Sequence, residues 1–229
     1  MLSAARSFDR IPYRLDGTLG DVAAELHAGR PVLVLQNLGV SWYPRWHYAV
    51  VIGIDQASGD IILRSGTDRR RVTEVRTLLR TWQRGEFWSL VLLRPGELPA
   101  RPDKQRFFRS VADVEANGRY GAAFASWRAA AERWPDEPYA LFGMANTAFQ
   151  LGELATAERS YRQLLSNDPE FHAARNNLAF VLAEQGMIDA ALHEIRQVLA
   201  AIDGDDPLRA EYESSLRELA AREDSPAQE

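Results

Sequence analysis

The first hundred residues alternate between short apolar runs and polar turns, and the runs have strand length. Residues 31–37 (PVLVLQN), 48–54 (YAVVIGI), 61–65 (IILRS) and 87–93 (FWSLVLL) are rich in β-branched, leucine and aromatic side chains. Glycine, proline or aspartate bounds them, so at least four strands are expected. The turn DQASGD at 55–60 joins the second and third into a hairpin. Two stretches change to a helical period. Residues 18–29 offer Thr18 as N-cap and Gly29 as C-terminal stop, and residues 73–85 run to Gly85. This front part reads as an α+β domain.

The pattern breaks at 94–103, RPGELPARPD, which holds three prolines and a glycine. Proline neither continues a helix nor donates to a sheet, so a linker is expected. The expected divisions are a domain over 1–97, a linker over 98–103 and a second domain over 104–223. Beyond the linker everything reads as helix, and it repeats. Gly118, Gly152 and Gly186 recur at a fixed period, as do Ala123, Ala157 and Ala191, and Trp127, Tyr161 and Ile195. Pro135 and Pro169 share the same spacing. The period is about 34 residues, with glycine at the inter-helix turn, alanine at the helix crossing, an aromatic one turn later and proline at the end. That is the signature of tetratricopeptide repeats, and RNNLAFVLAEQGMIDAAL (175–192) resembles the family directly. The resemblance covers 104–206 and implies an all-α solenoid of about three repeats, whose first helices line a concave groove. Residues 207–223 would then be the polar-faced cap such stacks require, and 224–229 a frayed tail.

Composition narrows the function classes. A hydrophobic share of 46% and a charged share of 26% are those of a globular chain. The net charge of −5 argues against a nucleic-acid partner, which normally meets a basic face. The charge is uneven: residues 1–99 carry 13 arginines and 10 acids, the remainder 14 basic and 22 acidic residues. No run approaches the ~20 apolar residues of a membrane span. The N-terminus has no secretory signal pattern. As written the chain is expected in the cytoplasm; a longer native N-terminus would make the bacterial periplasm or envelope the alternative. The chain has no cysteine, which excludes disulfides, thiolate metal sites and a cysteine nucleophile among these 229 residues. No metal cluster, phosphate loop or dinucleotide fingerprint appears, so no cofactor is expected.

The chemistry-bearing candidate is His47, in RWHYAVVIGID at 45–55. A catalytic histidine needs a group that holds its tautomer. Asp55 shares its strand face but lies roughly 26 Å away at strand rise. If Asp55 opposes Asp60 across the hairpin, Ile54 opposes Ile61 and His47 opposes Asp68, the candidate orienter. The alternative is a histidine satisfied by backbone at a strand end.

AGRPVLVLQNLG, WHYAVVIGID, IILRSGT and LLRTWQRGEFWSLVLLRP together resemble the second half of the bacteriocin-processing, double-glycine cysteine peptidases, a papain-like fold. The resemblance spans about 1–97. It implies that His47 matches the family's catalytic histidine. The family's orienting aspartate falls near Leu63–Ser65, where this chain reads LRSG, and Asp68 stays only a candidate. The family's nucleophilic cysteine and oxyanion glutamine lie on a segment this sequence does not contain; MLSAARSFDRIPYRL looks like the family's second helix and following strand. Without a thiolate the family's route to a peptide carbonyl is closed, so the peptidase-like domain is expected to be non-catalytic in this chain. The alternative is a cysteine peptidase whose nucleophile lies upstream, with His47 as general base.

The repeats carry the other candidates. Counted in the repeat frame, Tyr139, Phe142, Asn146, Phe149, Asn176 and Phe180 face the groove. The asparagines would meet a peptide backbone and the aromatics its apolar side chains; packing between helices is the competing reading for the aromatics. The expected partner is a protein or peptide, with self-association possible. DRRR at 68–71 reads as a basic hairpin edge that discourages strand pairing.

Overall fold

The computed structural model describes residues 8–55 and 57–223. The helix implied within the first residues and the tail at 224–229 lie outside them. The described residues fall into two compact units, one through Ala122 and one from Ala123.

The first unit is built on one antiparallel sheet of six strands: β1 (Ile11–Arg14), β2 (Val32–Asn37), β3 (Trp46–Ile54), β4 (Ile61–Ser65), β5 (Asp68–Thr73) and β6 (Ser89–Leu93). Their order is β1-β6-β2-β3-β4-β5. Alternation places one side chain in two on each face. Tyr13, Val91, Val32, Val51 and Leu63 are successive cross-strand partners over five strands, and each is at most 2% exposed. The row ends at Arg71 of β5, paired with Leu63 and exposed, so the core stops one strand short of that edge.

Helix α1 (Leu19–His27) starts at Thr18, whose hydroxyl accepts from the Asp21 amide at 3.1 Å. That satisfies one of the donors a helix start leaves unpaired. Helix α2 (Val75–Gln83) packs on β2 and buries Leu78 and Trp82. The Trp82 indole N–H donates to the Trp88 carbonyl at 2.9 Å, and the Gln36 amide donates to the Thr81 hydroxyl at 2.7 Å. The proline-rich segment after β6 is strapped to the sheet unit. The Ala100 amide donates to Glu25 Oε1 at 2.7 Å, Arg101 pairs with Asp21 at 3.3 Å, and the Asp103 amide donates to the Tyr13 hydroxyl at 3.0 Å. Glu25, 1% exposed, also accepts from Arg30 at 2.6 Å, the double pairing a buried carboxylate requires. Helix α3 (Lys104–Ala116) continues from this segment and packs on β1, with the Phe107 ring 6.5 Å from that of Tyr13.

Helix α4 (Tyr120–Arg133) runs into the second unit, which is all helix: α5 (Pro138–Gln150), α6 (Leu154–Asn167), α7 (His172–Glu184), α8 (Ile188–Ala201) and α9 (Arg209–Glu223). Successive helices pack as hairpins, α5 on α6 and α7 on α8, and α9 covers α8. At the two hairpin turns Gly152 and Gly186 sit at φ of 74° and 80°, a left-handed conformation that costs other residues a steric penalty. Small residues set the spacing between helices: Ala145, Ala157, Ala174 and Ala191 are fully buried beside Tyr161, Leu178, Leu182 and Ile195. Gly143 belongs to this set for a sharper reason. A Cβ on it would lie 2.4 Å from the Trp127 indole.

Candidate functional sites

Each unit presents one candidate site. In the sheet unit His47 lies on β3, half-buried, opposite Gln36 of β2. Among the described residues its hydrogen bond is to Ser65: Nε2 and the Ser65 hydroxyl lie 2.8 Å apart. Ser65 stands in the stretch where the peptidase resemblance puts an aspartate. Asp68 is not brought to the imidazole; it opens β5, exposed, and pairs with Ser65. Two features produce this. The hairpin starts in the expected register, Ile54 opposite Ile61, but shifts by one between Val51 and Gly53, so that Val51 meets Leu63 and Ala49 meets Ser65. A bulge of one residue transfers every later partner. The chain then reverses at Gly66, φ 60°, and carries Asp68 away into β5. The usable signal was Gly53, since glycine inside a strand marks a bulge.

With Nε2 engaged, Nδ1 of His47 makes no hydrogen bond among the described residues. The imidazole is therefore held at one nitrogen and open at the other. The loop before it, 38–45, is held by the Asn37 side chain, whose Oδ1 accepts from the Gly39 and Arg45 amides, each at 2.9 Å, and by a backbone bridge between Val40 and Tyr43. It displays Trp42, 85% exposed, and Tyr43, and leads into the exposed Trp46.

In the helical unit Tyr139 opens α5 and is 59% exposed. Its ring stands edge-on to Phe171, 5.6 Å between centroids, and Phe142 lies 5.1 Å from Phe171 and 6.2 Å from Tyr161. The result is an aromatic shelf whose outermost member faces solvent. Phe171, the residue before α7, was not singled out from the sequence; it falls between helices, where the repeat frame assigns no groove position. Phe149 and Phe180 are half-buried and pack on the core. Asn146 is tied between helices: its carbonyl accepts from the Tyr161 hydroxyl and, at 3.0 Å, from Asn177. Its amide nitrogen makes no bond among the described residues. Asn176 is 8% exposed; its nitrogen donates to Asn177 at 3.2 Å, and its buried carbonyl oxygen is unpartnered. A buried carbonyl without a donor is costly enough to mark a place where a donor is wanted.

Among the described residues no group of three or more histidines and acids is placed to hold a metal, and no helix is long and apolar enough to cross a membrane.

Residues 113–158 and 142–207 match the tetratricopeptide repeat family. No curated protein matches the chain. Among solved structures, the chain is similar to the type III secretion chaperone SycD of Yersinia enterocolitica in complex with a peptide of the translocator YopD. That likeness has 14% identity over 52% of this chain and 93% of the other, with a TM-score of 0.48. It is also similar to PcrH in complex with the chaperone binding region of PopD, at 18% identity, 52% and 92% coverage and a TM-score of 0.47. The tetratricopeptide domain of Sgt2 from Aspergillus fumigatus is similar at 18% identity, 56% and 88% coverage and a TM-score of 0.46. Residues 113–207 thus match tetratricopeptide repeats, and in chain order they follow a six-stranded antiparallel sheet.

Proposed function

We propose that this protein binds a peptide or protein segment along the first helices of its repeats, and that its sheet unit is a cysteine-peptidase-like domain that is non-catalytic in this chain. The exposure of Tyr139 above the Phe142–Phe171 shelf carries the reading. An aromatic ring left 59% open beside two others is ready to receive an apolar ligand side chain. The free amide of Asn146 supplies a donor of the kind an extended backbone accepts, and the Asn176 amide braces Asn177 beside it. Phe142 supports the shelf, while Phe149 and Phe180 pack on the core of the repeats. A phage-displayed peptide library selected on the full chain tests this. Selected peptides should lose about tenfold or more in affinity on Tyr139→Ala, the usual scale for an aromatic anchor, and keep it on His47→Ala. Selection of peptides indifferent to Tyr139→Ala and Phe142→Ala would overturn it.

A second reading is favoured by the geometry of His47. An imidazole fixed at Nε2 by Ser65 and open at Nδ1 is arranged as a base awaiting a nucleophile. In that reading the double-glycine peptidase chemistry is completed by a thiol that these 229 residues lack, and the repeats dock the substrate. Asp68, exposed on β5, would then have no part in orienting the base. Peptide hydrolysis by the chain as given, lost on His47→Ala, would displace the non-catalytic reading.

A further inference from the structure

The chain carries net charge −5, yet residues 64–84 hold seven arginines and two acids. Three of the arginines, Arg69, Arg70 and Arg71, are consecutive on β5, and all are exposed. Arg64, on the neighbouring strand β4, is exposed as well. Arg76 and Arg80 repeat at one helical turn along the exposed side of α2, and Arg84 follows one turn later at its C-cap, each exposed. None of the seven forms an ion pair among the described residues, whereas Arg30, Arg101, Arg162 and Arg175 each do. All seven are arginine; the single lysine of the chain lies elsewhere. A guanidinium forks onto a carboxylate or phosphate with two parallel hydrogen bonds, which an ammonium cannot do.

A second observation selects between those anions. β5 is the terminal strand, hydrogen-bonded to β4 on one side only. No other backbone among the described residues bonds its outer edge. An open row of amides and carbonyls is a template for an extended polypeptide and for nothing else. Pairing with a second copy is opposed by the same side chains. Two β5 strands laid antiparallel set arginine against arginine, which is repulsive. The edge therefore rejects itself and accepts the opposite charge.

We propose that the outer edge of β5 is a docking strand for an extended acidic segment of a partner protein, which adds a seventh strand to the sheet. The spacing of the arginines makes the requirement specific. β5 carries one extra residue between Asp68, opposite Ser65, and Arg71, opposite Leu63, so the three arginines crowd together there instead of alternating strictly. Three consecutive guanidiniums are matched by a run of consecutive carboxylates. This site belongs to the first unit and does not rest on the proposed peptide binding by the repeats.

Fluorescence anisotropy with the full chain tests it. The probe is a fluorescein-labelled peptide with three consecutive glutamates between threonine–valine pairs. It should bind with an affinity that falls with salt, and weaken about tenfold or more in the R69E/R70E/R71E variant. The milder R69Q/R71Q variant, with an unchanged circular-dichroism melt, should weaken it in the same direction. A glutamate peptide N-methylated at alternate residues keeps its charge and loses its strand hydrogen bonds, and should not bind. Equal binding of the N-methylated peptide would overturn the proposal, as would indifference to both arginine variants. Tighter binding of oligothymidylate or of phosphatidylserine vesicles than of the glutamate peptide would overturn it in favour of a phosphate ligand.

Discussion

Gly143→Ala sets two physical effects against each other at one atom. Gly143 lies inside α5, where alanine is intrinsically the better residue by about 0.5–1 kcal/mol. On helix propensity alone the substitution stabilises. The structure gives the opposite sign. The added methyl would sit 2.4, 2.5 and 2.8 Å from three atoms of the Trp127 indole, ring atoms that cannot rotate away individually. Trp127 is itself 5% exposed, and the helices it joins are packed through fully buried alanines, so relief requires the helices to separate. Overpacking of this kind costs about 1–3 kcal/mol. The net expectation is a loss of about 1–2 kcal/mol, which for a unit of this size lowers its melting temperature by about 4–15 °C. Urea unfolding followed by far-ultraviolet circular dichroism measures it, because the helical unit dominates that signal. The control is the double-mutant cycle with Trp127→Leu. With the indole gone, Gly143→Ala should become neutral or stabilising. A stabilising Gly143→Ala on its own, or an equal cost in both backgrounds, would refute the reasoning.

Two further outcomes follow from the sheet unit. Burial raises the Tyr13 phenol above its ordinary value, partly countered by the hydrogen bond from the Asp103 amide. The unfolded chain therefore gives up this proton first: the contribution is complete below about pH 10 and is lost as the pH rises above it. Tyr13→Phe should flatten the alkaline limb of a stability–pH profile, and an unchanged limb would contradict the assignment. Glu25→Gln removes the buried charge that holds Arg30 and the Ala100 amide. A loss of about 3 kcal/mol is expected, with faster proteolysis at residues 94–103; unchanged protection of that segment would show that it is held by something else.

Much of the architecture was legible because it rests on periodicity. The columns of glycine and alanine fix the helical hairpins, since only small residues fit where Ala157 and Ala191 lie fully buried. The strands at 31–37, 61–65 and 87–93 were equally plain, as alternation and β-branching follow from a half-buried pleat. β5 was not legible as a strand, because DRRRVT has no apolar face; its place comes from the turn at Gly66 and pairing with β4. The partner of His47 was missed for a related reason. The bulge beside Gly53 and the reversal at Gly66 take Asp68 out of reach and leave Ser65, the partner of Ala49, beside the imidazole; strict alternation reveals neither. Of the aromatic shelf, the repeat frame named Tyr139 and Phe142 but not Phe171, and it could not distinguish an asparagine left open from one locked to its neighbours. Asn146 is half of each: its carbonyl is used within the fold and its amide is not.

The central claim is that the repeats, and not the histidine of the sheet unit, are the binding surface. Titration of an isotope-labelled chain with a library-selected peptide, followed by nuclear magnetic resonance, locates the contact directly. Shifts concentrated at Tyr139, Phe142, Asn146 and Phe171 on α5 and at the start of α7 are expected. Shifts confined to His47, Ser65 and the loop bearing Trp42 would contradict the account.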